Sequence, residues 1–195
     1  MIGKYFYMNQ VRTERVLKRV NQMLRHSRLA TELLKAEESK DFKECMERFV
    51  QDLRENGYEG ALSFLGVLAF QDLMLHHALL SGMYYFLYTA TYLERIFKDR
   101  NAMKDSKSKD KLYKMIADDK HFSLQAEKVW TDADFVRKVQ AFERILESHG
   151  YKGIKLKDSK FFNDMLTAHA FKAGEIYFDV LMKNNLVEVA KRLVR

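Results

Sequence analysis

The chain has 195 residues, no proline, a single cysteine and a formal charge of +7, with 47% of its residues apolar. That length suffices for one globular domain with a sizeable interior, and an apolar chain without proline reads as helices joined by glycine and polar turns, which disfavours all-β classes. Cys45 alone cannot build a disulfide framework or a CxxC metal or redox site; with no apolar secretory core in MIGKYFYMNQVRTER, a reducing, cytoplasmic setting is expected.

From Met8 to Ala36, Leu17, Val20, Leu24 and Leu34 recur near the helical period while Arg12, Arg15, Lys18, Arg19, Arg25 and Arg28 fill the other faces. This predicts a long basic helix. Ser39 is placed to cap a second helix, whose stripe Phe42, Met46, Phe49 and Leu53 ends at Asn56-Gly57. Glycine there accepts the left-handed conformation that closes a helix, and Tyr58 is expected to fold back on Leu53.

Leu73 to Leu93 carries no formal charge and is long enough to cross a bilayer. His76, His77, Ser81 and the tyrosines of this run would need partners in lipid, so no membrane association is expected. The expectation is instead a central helix pair buried on most sides, with one of the two histidines bonded to a carbonyl. Arg100 to Lys114, rich in lysine interleaved with serine and aspartate, predicts an exposed loop leading into a short helix.

Thr131 with Asp134 resembles a capping box opening a helix through Glu147. Its stripe is Phe135, Val139, Phe142 and Leu146, and it ends at His149-Gly150. A basic turn, Tyr151 to Lys160, precedes a long helix from Phe161 and a short final one. The predicted fold is an all-α bundle of about seven to nine helices, residues 1–195 forming one domain.

Shifting the sequence by 93 residues superposes Phe42, Phe49, Leu53, Gly57, Tyr58 and Gly60 on Phe135, Phe142, Leu146, Gly150, Tyr151 and Gly153, and farther on His76 meets His169 and Tyr84 meets Tyr177. Two readings stay open. A duplicated half-domain gives pseudo-repeated lobes, 1–99 and 100–195. Any amphipathic helix closed by glycine and an aromatic residue produces the same spacing unaided.

Candidate chemistry is sparse. No Glu-x-x-His motif of a carboxylate-bridged dimetal bundle occurs; Asp72, His76 and Glu94 are the nearest approach to a ligand set, and neither a metal nor any other cofactor is expected. No phosphate-binding Gly-x4-Gly-Lys-[Ser/Thr] loop and no Gly-x-Ser-x-Gly elbow is present. Asp118-Asp119 reads as a solvated turn. Arg144 with His149, and Arg19 with His26, resemble the Arg-x4–6-His pattern of HEPN helical ribonucleases. In that alternative, histidine serves as general acid or base and arginine stabilises phosphate charge.

Basic residues concentrate in the first helix, the 104–114 segment, Lys152 to Lys160 and the C-terminal tip, while 37–59 is acidic. Such asymmetry favours a polyanion partner. Charge placement nominates Arg12, Arg15, Arg19, Lys107, Lys109, Lys111, Lys155 and Lys157 for phosphate contact.

The segment Arg54-Glu55-Asn56-Gly57-Tyr58-Glu59-Gly60-Ala61-Leu62-Ser63-Phe64-Leu65 resembles the helix-turn-helix stretch of the small α-helical subunit of type III-B (Cmr class) CRISPR effector complexes. Asn56, Gly57, Leu62, Phe64 and Leu65 carry the likeness; Tyr58 stands where that family usually has an aliphatic residue. The resemblance implies a noncatalytic antiviral-defence protein that stacks with copies of itself along guide and target RNA beside other effector subunits. Independently of the resemblance, Asn56, Gly57 and Gly150 read as structural turn residues at the two helix closures. A third alternative is a helical protein-interaction adaptor that touches no nucleic acid.

Overall fold

The computed structural model describes residues 28–60, 68–96 and 106–183. These are all-α, with no strand among them. Helix α1 (Arg28–Leu34) runs into a 3-10 turn, Lys35–Glu38, and is followed by α2 (Lys40–Glu55) and the long α3 (Leu68–Ile96). After α4 (Ser106–Ala117), the order repeats: α5 (Lys120–Ala126) runs into a 3-10 turn, Glu127–Thr131, followed by α6 (Ala133–Ser148), a short turn at Leu156–Asp158 and the long α7 (Lys160–Lys183). No helix among the described residues is long and apolar enough to cross a membrane.

Helix α2 starts where expected. Ser39 is extended, and its Oγ accepts the Phe42 amide at 3.4 Å, relieving one of the donors that a helix start leaves unpaired. Phe42, Cys45, Met46, Phe49 and Leu53 form its buried stripe. At the other end the Gly57 amide donates to the Arg54 carbonyl at 3.0 Å and the Tyr58 amide to the Leu53 carbonyl at 2.9 Å, the paired closure that a left-handed glycine permits.

Helix α6 closes the same way, Gly150 N–H donating to the Glu147 carbonyl and Tyr151 N–H to Leu146, both at 3.1 Å. Its start differs from expectation. Asp132, not Thr131, is the cap: its carboxylate accepts the Asp134 and Phe135 amides at 3.1 and 3.0 Å. The Thr131 hydroxyl instead donates back to the Lys128 carbonyl at 2.7 Å, closing the preceding 3-10 turn.

Two further expectations change. The uncharged run is one continuous helix, α3, rather than a helix pair; its companion is α7, more than 90 positions later in the chain. The lysine-rich 100–114 segment is helical from Ser106, because Leu112 and Ile116 bury one face and the Tyr113 hydroxyl donates to Asp179 of α7 at 2.8 Å. Of the basic helix expected over 8–36, only the part from Arg28 lies within the described residues, as α1 and its 3-10 turn.

The helices cross between the two halves of the chain. Helix α2 packs on α7, and α6 packs on α3, rather than each on the long helix that follows it. Phe49 meets Phe162 with ring centres 5.3 Å apart, and Phe142 meets Phe70 at 5.1 Å. Phe42 meets the His169 ring at 5.3 Å, and Phe135 meets His77 at 5.6 Å. These contacts are reciprocal: Phe42 corresponds to Phe135 and Phe49 to Phe142 at an offset of 93, while His77 corresponds to His169 and Phe70 to Phe162 at an offset of 92. Past the glycine turns the superposition therefore slips by one residue, because Gly60 to Phe70 is one residue longer than Gly153 to Phe162. His77 rather than His76, and Tyr85 rather than Tyr84, take the places equivalent to His169 and Tyr177.

The two glycine closures sit against each other. Glu59 N–H donates to the His149 carbonyl and Lys152 N–H to the Asn56 carbonyl, each at 2.8 Å. Gly57 has φ +87° and Gly150 +93°. A Cβ on Gly57 would lie 2.9 Å from the Gly150 carbonyl oxygen, and one on Gly150 would lie 2.6 Å from that of Gly57. Left-handed backbone and direct backbone contact together exclude any side chain at both positions.

Gly57→Ala and Gly150→Ala should each destabilise the fold by about 2–4 kcal/mol, from left-handed strain plus a weakened inter-turn bond. Denaturant titration checks this; a loss under about 0.5 kcal/mol for either variant contradicts the tight apposition of the two turns.

Candidate functional site

Three groups of polar side chains are candidates for chemistry. The innermost is His77 and His169, each 1% exposed and facing across α3 and α7 with Nδ1 to Nδ1 at 2.8 Å. One ring must donate and the other accept. The Ser81 hydroxyl lies 3.3 Å from His77 Nε2, whereas His169 Nε2 is buried without a partner. An unpaired buried N–H is costlier than an unpaired lone pair. Hydrogen-bond logic therefore assigns His169 as the Nδ1–H donor and His77 as the Nε2–H tautomer. Burial first, then the neighbouring His169 and His76, hold His77 well below the usual histidine range. Burial alone brings His169 down to about 3. At His77 a histidine–histidine bond stands where a histidine–carbonyl bond was expected.

The second group joins α3 to the start of α6. His76 Nε2 lies 3.1 Å from Asp132 Oδ1, the oxygen that also caps α6, and Asp72 pairs with Lys138. Asp72 and His76, two of the three residues nominated on sequence as a metal approach, are thus partnered with α6 instead, and the side chain of Glu94 lies outside the described residues. Among the described residues no group of three or more His, Cys, Asp or Glu side chains is arranged to hold a metal ion.

The third is a surface cleft of about 450 Å³ between α6 and the 155–158 turn, lined by Trp130, Glu143, Arg144, Glu147, Lys155 and Lys157 among others. Glu143 is its fixed point: the carboxylate is buried and accepts the Leu156 amide at 2.7 Å. Sequence reasoning passed over Glu143; its signal was a carboxylate one turn from Val139 on the apolar face of α6. The Trp130 indole N–H donates to Asn163 Oδ1 at 3.2 Å, tying the cleft floor to α7.

Of the nominated phosphate contacts, Lys155 and Lys157 share this cleft. Lys155 is already engaged, 2.7 Å from Glu147 and 3.9 Å from Glu143, and the Glu147 bond is the main reason its ammonium holds its proton more tightly than usual. Lys157 and Lys111 are exposed. Lys107 and Lys109 fall on α4, not on a loop, so they are spaced along a helix with Lys111. Arg12, Arg15 and Arg19, like His26, lie outside the described residues.

Arg144 and His149 do not converge on the cleft. Arg144 lines it, while His149 caps the end of α6, its Nδ1 2.8 Å from the Ile145 carbonyl and its ring beside Tyr58. A histidine held by its own helix is poorly placed as the general acid or base of a phosphodiester cleavage.

Of the stretch that resembles the CRISPR small subunit, residues 54–60 form the first glycine closure, and 61–65 lie outside the described residues. Asn56 Nδ2 donates to the Asp52 carbonyl at 2.8 Å, and the Asn56 carbonyl receives Lys152 N–H. Contacts within the chain thus engage both. No protein-family model, curated protein or solved structure matches the chain.

Asp132 carries two amides and His76, so Asp132→Ala should cost about 1–2 kcal/mol, whereas Thr131→Ala should cost under about 0.5. Thermal or denaturant unfolding of the two variants checks this; equal losses would return the cap to Thr131.

Proposed function

We propose that this protein is a noncatalytic helical scaffold that binds RNA through its phosphates, assembled from a duplicated half-domain. The observation that carries the RNA reading is the set of exposed cations from the last turns of α6 to the first residue of α7. Arg144, Lys152, Lys157 and Lys160 are exposed, and their charged ends have no ion-pair partner among the described residues. Cations that are not consumed internally can release counterions from a nucleic-acid backbone without reading bases. Lys111 on α4 adds a further exposed cation, and Lys155 can join by exchanging Glu147 for a phosphate.

The likeness of 54–65 to the type III-B small subunit supports a CRISPR-type ribonucleoprotein, with guide and target RNA, other effector subunits and copies of this chain as partners, in the cytoplasm. The duplication reading is supported by the reciprocal pairs: Ser39 with Asp132 as caps, Leu29, Leu33 and Ala36 with Phe122, Ala126 and Val129 in the core, and the twin glycine closures. Its halves run from α1 to α3 and from α5 to α7. On this reading the boundary between the halves lies at the 99/100 division.

Filter binding to mixed-sequence single-stranded RNA across a salt series tests this reading. Affinity should be tolerant of sequence and fall steeply with salt. Arg144→Ala with Lys157→Ala should flatten the log–log slope by about 1.4, from roughly 0.7 per lost phosphate contact, and the RNA should be recovered intact. A slope near zero, an unchanged slope in the double variant, or cleavage lost in His149→Ala would overturn it.

A further inference from the structure

The His77–His169 contact lies at the crossing of the two halves. It joins α3 to α7, and the rings of Phe42 from α2 and Phe135 from α6 pack on it from either side. At 2.8 Å the two Nδ1 atoms have room for one proton between them. Protonating the accepting Nδ1 would set two N–H groups head to head. Protonating His169 at Nε2 would instead create a buried cation with no acceptor, since that atom has no partner.

Among the described residues no carboxylate compensates such a charge: only burial and the neighbouring imidazoles act on the two rings. From α2 and α6 the contacting groups are phenyl rings. From α3 they are the Ser81 hydroxyl and, one residue before His77, the imidazole of His76, which already pairs with Asp132. From α7 the facing group is His169 itself. Relief requires water, and therefore separation of α3 from α7.

We propose that the His77–His169 pair is an acid-sensitive latch, closing α3 onto α7 while the rings share one proton at their Nδ1 contact and releasing them when acid adds another. Both rings bind protons less readily when buried than an ordinary histidine with a value near 6.5 does. The opened state therefore takes up more protons below that value. The latch's stabilisation is complete above about pH 6.5 and is lost progressively as the pH falls below it. Carboxylates remain largely ionised over the upper part of that window, so the histidines dominate it.

Amide hydrogen exchange in α3 and α7 of the intact chain, corrected for intrinsic rates, reads the opening constant directly. Between pH 6 and pH 5 it should rise roughly sixtyfold, the product of about eightfold from each of two histidines with an opened-state value near 6.5. In parallel, the ring resonances of His77 and His169 should show neutral imidazoles that do not titrate while the fold is closed. His169→Phe, which keeps a ring beside Phe42, should cut the rise to about eightfold. A pH-independent opening constant, either ring titrating near 6.5 in the closed fold, or a His169→Phe chain that keeps the full rise would each overturn the latch. Should His169→Phe not fold, the wild-type exchange and resonances decide alone.

Discussion

The structure depends on two peptide segments meeting at Gly57 and Gly150. Each glycine ends a helix in the left-handed conformation, and each lies so close to the other's carbonyl that no side chain could intervene. Because the amides of Glu59 and Lys152 then bond across to His149 and Asn56, the ends of α2 and α6 are pinned side by side. Every larger feature of the packing is compatible with that pin: the crossing of α2 onto α7, the crossing of α6 onto α3, and the meeting of α3 and α7 at His77 and His169.

A core built this way belongs to neither half. The stripe of α2 is buried by a helix from the second half, and that of α6 by a helix from the first. At Gly82 and Gly174 the long helices approach so closely that Tyr177 and Tyr85 occupy the space a Cβ would need. Interiors of this density are bistable rather than compliant. A charge introduced at the histidine contact should therefore separate the long helices as units.

Local features were legible in the sequence because local chemistry decides them. The Ser39 cap, the stripes of α2 and α6 and both glycine closures follow from spacing and residue type within one or two turns. The cap of α6 was misplaced by one residue because threonine and aspartate both cap well, and only the geometry shows Asp132 taking the amides. Helix α4 was hidden because lysine and serine read as loop, while its two buried anchors, Leu112 and Ile116, are too few to form a visible stripe.

Nonlocal features were not legible. An amphipathic stripe reports that a face is buried, not which helix buries it, so the crossing of the halves left no trace in periodicity. The one-residue slip between offsets of 93 and 92 falls in the link after each glycine turn, which is why His76 stood in for His77. Charge counts likewise could not show that Lys155 is held by Glu147 while Arg144 is not held. The crossing is tested most directly by aromatic nuclear Overhauser effects in the wild-type protein. The structure predicts contacts of Phe49 with Phe162 and of Phe142 with Phe70, at similar intensity; contacts of Phe49 with Phe70 and of Phe142 with Phe162 in their place would contradict it.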